Sequence, residues 1–181
     1  MSPLSPALLV VTSVWAVRQD VMDHRIPNVL TGTLFILGLA LRSWAEGWHG
    51  LGPALLGAVV GFAMLLPLYL RRATGAGDVK YLAAAGVLLG PWWAFLGGLY
   101  TLIAGGVLAL GYLLASGLQA ATAAPARTPW PIRQQLALQR MLDLRRHRFP
   151  YALAIALGVL LASWQRGDWA SWEPLLNGGL P

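Results

Sequence analysis

Long apolar stretches alternate with short polar clusters along this chain, and the spacing predicts helices of membrane-crossing length. Leu4 to about Gln19 is the first apolar run, with no charge before Arg18. Arg18, Asp20, Asp23, His24 and Arg25 then form a polar hinge, closed by Ile26-Pro27-Asn28. Proline removes a backbone donor and disfavours helix in the residue before it, so Pro27 marks a boundary. A second run extends from Val29 to Ala45, with Arg42 near its end, where a long side chain can snorkel toward water. Gly47 to Leu70 contains no Asp, Glu, Lys or Arg and makes a third run, ended by Arg71-Arg72. From Tyr81 to Ala126 there is again no formal charge. That tract is too long for one crossing and sufficient for two, with Gly90-Pro91 as the break. The fourth run therefore ends near Leu89, and the fifth occupies Trp92 to about Gly117. A polar, basic stretch follows from Gln119 to Arg148. Within it, the apolar positions 132, 136, 138, 141, 142 and 144 fall on one helical face, which predicts a short amphipathic helix lying on the membrane surface. Phe149 to Trp164 is the sixth run.

At about 20 residues per crossing, the pattern predicts an all-α polytopic membrane protein. It has six transmembrane helices, with the short cytoplasmic amphipathic helix between the fifth and sixth. Residues 1–181 form one integral-membrane domain. Composition agrees: 57% of the 181 residues are hydrophobic and 11% are charged, against about 25% charged in an average soluble domain. High hydrophobicity with low charge excludes disorder. The absence of cysteine excludes disulfides, thiolate metal sites and cysteine catalysis. The N-terminal segment lacks the basic region of a cleaved signal peptide and reads as the start of a retained first span.

Charge then sets the orientation. Of the 13 Lys and Arg residues, only Arg42 and Arg166 fall beyond the even-numbered crossings. Arg18, Arg25, Arg71, Arg72, Lys80, Arg127, Arg133, Arg140, Arg145, Arg146 and Arg148 all follow the odd-numbered ones. The positive-inside rule makes that side cytoplasmic and both termini periplasmic. Trp44, Trp48, Trp92, Trp93, Trp164, Trp169 and Trp172 fall at the outer ends, as an interfacial belt does. The net charge of +6 thus reflects topology and contact with anionic membrane lipid. No interleaving of basic and stacking aromatic residues suggests a nucleic-acid partner.

Two acids stand out, because an ionisable group at membrane depth is expensive and functional by default. Asp20 ends the first run and Asp78 begins the fourth. Two crossings lie between them, so both return to the cytoplasmic side and meet if helices one and four are neighbours. Asp78 to Gly90 is about 18 Å of helix, against a hydrocarbon core of about 30 Å. With Trp92 and Trp93 at the outer surface, Asp78 lies inside the bilayer boundary. Two carboxyls in such a site can share one proton: one activates water, the other donates to the scissile carbonyl oxygen. Aspartyl proteolysis of this kind needs no metal and no cofactor. Gly75 and Gly77 permit positive φ and close backbone approach, which would let a substrate strand near the acid. Asp78 also reads as a helix cap. A metal site from Asp20, Asp23, His24 and Asp78 is a competing use of the same side chains. Gly57, Gly61, Gly97, Gly98, Gly105 and Gly106 read as close helix-packing positions.

Asp20-Val21-Met22-Asp23-His24-Arg25-Ile26-Pro27-Asn28 together with Gly75-Ala76-Gly77-Asp78-Val79-Lys80 resembles the type IV prepilin peptidases, a family of intramembrane aspartyl proteases. Pro150 to Gly158 looks like the family's final span, and the closest likeness is to the short form found with Tad/Flp-type pilus systems. The resemblance implies a catalytic pair of Asp20, six residues before the Ile of I-P-N, and Asp78 of G-x-G-D. It implies a single peptidase domain in the bacterial inner membrane that removes a basic leader from prepilins or pseudopilins at the cytoplasmic face, usually after Gly. Larger relatives also N-methylate the new terminus and carry a domain with paired cysteines. This chain has neither cysteine nor insertion, so peptidase activity without methyltransferase activity is expected. On this reading Asp23 adjusts local charge or meets the basic leader, with the first acid of the pair as its alternative use in place of Asp20, and Lys80 snorkels to lipid head groups or else tunes the pair. Pro27, Asn28, Gly75 and Gly77 support the pair or the substrate. Two other uses of the acids remain: a proton relay in a small transporter, and no catalysis at all in a pilus-assembly scaffold. Presenilin-like proteases share G-x-G-D but do not account for I-P-N.

Overall fold

The structure, a computed structural model, describes residues 4–23, 26–123 and 151–168. Among these there are six α-helices and no strand: α1 Leu4–Asp23, α2 Asn28–Glu46, α3 Leu51–Leu70, α4 Ala76–Leu89, α5 Pro91–Ala123 and α6 Tyr151–Gln165. A 3-10 turn, Gly47–Gly50, joins α2 to α3. Two stretches, Asn28–Leu70 and Pro91–Tyr112, are long and apolar enough to cross a membrane, and α6 is a shorter apolar helix. The amphipathic helix expected between positions 132 and 144 lies outside the described residues. So do His24, Arg25, the basic residues from Arg127 to Arg148, Trp169 and Trp172.

Each helix boundary has a local cause. Pro27 is extended (φ −66°, ψ 139°) and precedes α2, with its carbonyl accepting the Leu30 N–H at 3.1 Å. Gly90 takes φ +79° between α4 and α5, a conformation that costs glycine little. Pro91 opens α5, where its missing N–H costs nothing. At the end of α3 the Ala73 N–H reaches the Leu68 carbonyl and the Arg72 N–H the Tyr69 carbonyl, both at 2.8 Å. This is the Schellman pattern, and it holds Arg72 at φ +57°. α1 runs one turn further than the apolar run suggested, so Asp20 and Asp23 are both helical.

The chain divides into two compact units, residues 1–104 with 150–181, and residues 105–149. In the second, the described residues 105–123 continue α5 as helix, with Val107, Leu110 and Leu114 exposed. In the first, α4 is the central element and packs on α2, α3 and α6, while α1 packs on α2 and α6. α4 is apolar on every side, which suits a helix buried all round. From Asp78 to Leu89 only Lys80 is exposed.

Close approach explains how so short a helix is enclosed. A Cβ on Gly57 would collide with the Gly86 carbonyl, and one on Gly86 with the Gly57 carbonyl. One turn on, a Cβ on Gly61 would sit 2.6 Å from the Leu82 oxygen. Gly158 of α6 likewise leaves room for Gly97 and Thr101 of α5, and Gly98 for Met64 of α3. Gly106 has open space beside it, so the packing role expected there is not seen among the described residues.

The outside of the first unit is apolar too. Val11 and Val14, Ile36 and Leu37, Val59 and Phe62, and Leu157 and Leu161 are all exposed. An apolar surface this continuous marks a face that meets lipid or protein. Arg42 corrects the sequence reading. It does not snorkel but is buried at 7% exposure, because the carbonyls at the end of α4 need donors. Its Nε lies 3.5 Å from the Val87 oxygen, and Arg166 Nη1 donates to the Leu88 and Leu89 oxygens at 2.8 and 2.7 Å. The guanidiniums pair with Glu46 and Asp168 respectively, so the two cations expected beyond the even-numbered crossings both cap one helix.

Candidate active site

Four helix ends meet at the other end of α4. Asp20 lies in the last turn of α1 and Asp78 in the first turn of α4, each 7% exposed. Each carboxylate is held by one main-chain donor from a different place. The Gly75 N–H donates to Asp78 Oδ2 at 2.9 Å. The Ala152 N–H, at the start of α6, donates to Asp20 Oδ2 at 3.1 Å. Free N–H groups at a helix start favour a negative partner, and α6 offers one to an acid of α1. Asp78 also senses the charge of Asp20, and the Tyr151 phenol senses that of Asp78. The two acids therefore share one electrostatic neighbourhood with the first turn of α6. The capping role of Asp78 is realised in its bond from the Gly75 N–H.

Asp23 goes elsewhere. It is exposed and accepts a hydrogen bond from Gln19 Nε2 on its own helix. Burial thus separates the acids three residues apart: Asp20 faces the protein and Asp23 faces out.

Gly75 and Gly77 correct the expected role. Neither has a positive φ; Gly75 is extended (φ −80°, ψ 156°) and Gly77 is helical. The close approach at Gly77 is made by the protein itself. A Cβ there would lie 3.0 Å from Ile26 Cβ and 3.3 Å from the Ile26 N and O. At Gly75 a Cβ would crowd Asp78 Oδ2 at 3.3 Å. Gly77 therefore leaves room for the I-P-N segment, and Gly75 for the Asp78 carboxylate. Lys80 lies at the same junction. Its Nζ donates to Asn28 Oδ1 at 3.0 Å, so the cation ties α4 to the start of α2. Pro27 supplies the turn that presents Ile26 and Asn28 to α4. The two sequence motifs are thus one structural unit, joined at Gly77 with Ile26 and at Lys80 with Asn28.

A profile of the type IV leader peptidase family matches residues 7–112, more than half of the chain. The chain belongs to that family. Membership makes it a protease of the type IV leader peptidase kind. The matched segment of this leader peptidase contains Asp20, Ile26-Pro27-Asn28 and Gly75 to Lys80, so both acids lie within the family region. α6, with Tyr151 and Ala152, lies beyond it. No curated protein and no solved structure matches the chain significantly.

Sequence reasoning missed three features of the leader peptidase. Ala152 acts through its main chain, which no side-chain pattern announces. Tyr151 falls within the final run, where nothing in the sequence marks it. Thr74, just before the Gly75-to-Asp78 turn, has a buried hydroxyl without a hydrogen-bond partner among the described residues. Among those residues no cluster of His, Asp and Glu could hold a metal ion.

Proposed function

We propose that this leader peptidase is an intramembrane aspartyl endopeptidase. It removes the basic leader from prepilins or pseudopilins at the cytoplasmic face of the bacterial inner membrane. The six helices cross the bilayer with both termini periplasmic, and the chain works as one peptidase domain without N-methyltransferase activity. What supports the reading is that Asp20 and Asp78, on helices far apart in sequence, are both buried and each accept a main-chain N–H at the same end of α4. In a partly desolvated site two neighbouring carboxyls retain one proton between them. The ionised one takes a proton from water, whose oxygen attacks the peptide carbonyl carbon. The protonated one donates to the carbonyl oxygen. Collapse of the tetrahedral intermediate breaks the C–N bond, and the proton taken from water passes to the leaving amine.

The site lies at helix ends, where a substrate can be extended. A peptide bond inside a helix has its carbonyl engaged and hidden. The prepilin's apolar helix would therefore dock from the bilayer and offer its unwound leader junction at the acids. Asp23, exposed beside the site, is placed to meet a basic leader.

The test is a cleavage assay in liposomes with a prepilin whose basic leader ends in Gly, the products weighed by mass spectrometry. We expect one cut after that Gly and an unmethylated new amine. Intact substrate from folded protein, on several such prepilins, would contradict the proposal.

A further inference from the structure

The reaction proposed above requires α1 and α4 to hold their acids at a fixed separation, and a buried polar bridge joins the two helices. Tyr81 is fully buried. Its hydroxyl lies 2.8 Å from Ser13 Oγ and 3.5 Å from Thr12 Oγ1. Thr12 Oγ1 is anchored in turn, donating to the Leu8 carbonyl at 2.7 Å. On α1 the buried stripe runs Ser5, Leu9, Thr12, Ser13, Ala16 and Asp20, so Ser13 and Asp20 share a face two turns apart. On α4, Asp78 and Tyr81 are three apart and share a face as well. The bridge therefore joins the faces that bear the two acids, a short way along from them.

We propose that the Tyr81–Ser13 bridge is a positioning latch that sets the separation of Asp20 and Asp78; this rests on the peptidase reading. Tyr81 and Ser13 touch no reacting atom and act through the helices. A buried phenol needs a polar partner, and α1 supplies it through Ser13, with Thr12 beside it. A shift of one residue would rotate Ser13 away by about 100°, and any register that brings neither hydroxyl to the phenol leaves it unpaired. The latch thus discriminates against slipped packings that an all-apolar contact between small residues would tolerate.

The test combines kinetics with a readout that needs no substrate. Tyr81→Phe keeps the ring and removes the hydroxyl; Ser13→Ala removes the other half. We expect each to lower kcat about tenfold to a hundredfold, as a misplaced reacting group does, with KM within about twofold. The double variant should be no slower than the slower single one, because both lose the same bond. Tyr100→Phe, which deletes a phenol paired with Gln165, should keep wild-type kcat. For the second readout, the chain has no cysteine. Asp20→Cys with Asp78→Cys therefore gives a clean pair for a short bis-maleimide. Adding Tyr81→Phe should slow intramolecular cross-linking about tenfold. Unchanged kcat in both single variants, or unchanged cross-linking, would overturn the latch. If wild type cuts no prepilin while cross-linking still slows, the peptidase reading falls and the latch stands.

Discussion

Thr74 shows what a single side chain reveals about the site. Its buried hydroxyl has no hydrogen-bond partner among the described residues, and leaving such a group unpaired costs about 1–3 kcal/mol. Val has nearly the same shape and removes the polar group. Thr74→Val should therefore raise the stability of the free protein by about 1 kcal/mol, read as a higher midpoint in detergent-solubilised denaturation. A lower midpoint would mean that the hydroxyl is paired in solution. Not every residue of the site was readable in this way. Asp20 and Asp78 were legible because carboxylates at apolar helix ends demand a reason. Asp20 and Asp23 could not be told apart by residue chemistry; burial divides them, and burial depends on which face of α1 meets its neighbours. Arg42 was misread, and Lys80 finds a protein acceptor, for one shared reason. A long cation at a helix end can reach lipid or protein, and the choice depends on acceptors contributed by other helices, Asn28 in one case and the α4 carbonyls in the other.

The breaks between the described helices were legible, because charged clusters and Gly90-Pro91 mark them, although α1 runs four residues and α5 six residues past the expected ends. What periodicity could not supply was the order of packing. α4 has 14 residues, about 21 Å of helix, short of a hydrocarbon core of about 30 Å. Such a helix suits the centre: at its start its own Asp78 accepts the Gly75 N–H, and at its finish Arg42 and Arg166 from other segments reach its last carbonyls. Its contact with α3 leaves no room for a side chain at Gly57 or Gly86, since what each faces is backbone. Backbone cannot rotate out of the way, so even one methyl must separate the helices. Gly86→Ala should cost about 3 kcal/mol or more and lower the yield of folded protein. Gly106→Ala, with nothing within 4 Å, should be nearly silent. Equal tolerance of both substitutions in a thermal-stability assay would contradict the packing. Gly86 carried no packing expectation in the sequence because its partner, Gly57, lies on another helix.

The first unit has two chemically distinct ends, and α4 runs from one to the other. Asp20, Asp78, Lys80, Arg71 and Arg72 gather at one; exposed Trp44 and Trp48, with buried Arg42 and Arg166, gather at the other. With apolar side chains exposed along α1, α2, α3 and α6 between them, this is the profile of a bilayer protein. The cysteine-free chain lets the orientation be measured. Trp44→Cys should react with an impermeant maleimide added to cells whose outer membrane is opened, and Arg72→Cys only after the inner membrane is broken. The reverse pattern would invert the topology. The all-α class and both motifs were legible from residues alone. Their junction was not, because Gly77 against Ile26 and Lys80 against Asn28 are contacts between segments that chain order keeps apart. The participation of α6 through the Ala152 N–H was hidden for the same reason. All of these contacts converge on the acid pair, and the most direct measurement compares prepilin cleavage by wild type, Asp20→Asn, Asp78→Asn and Asp23→Asn, each shown to be folded. The account predicts a loss of at least about a thousandfold in the first two variants, as for removal of a group on which the chemistry depends, and a rate within about tenfold of wild type for Asp23→Asn. Full activity in either Asp20→Asn or Asp78→Asn would contradict it.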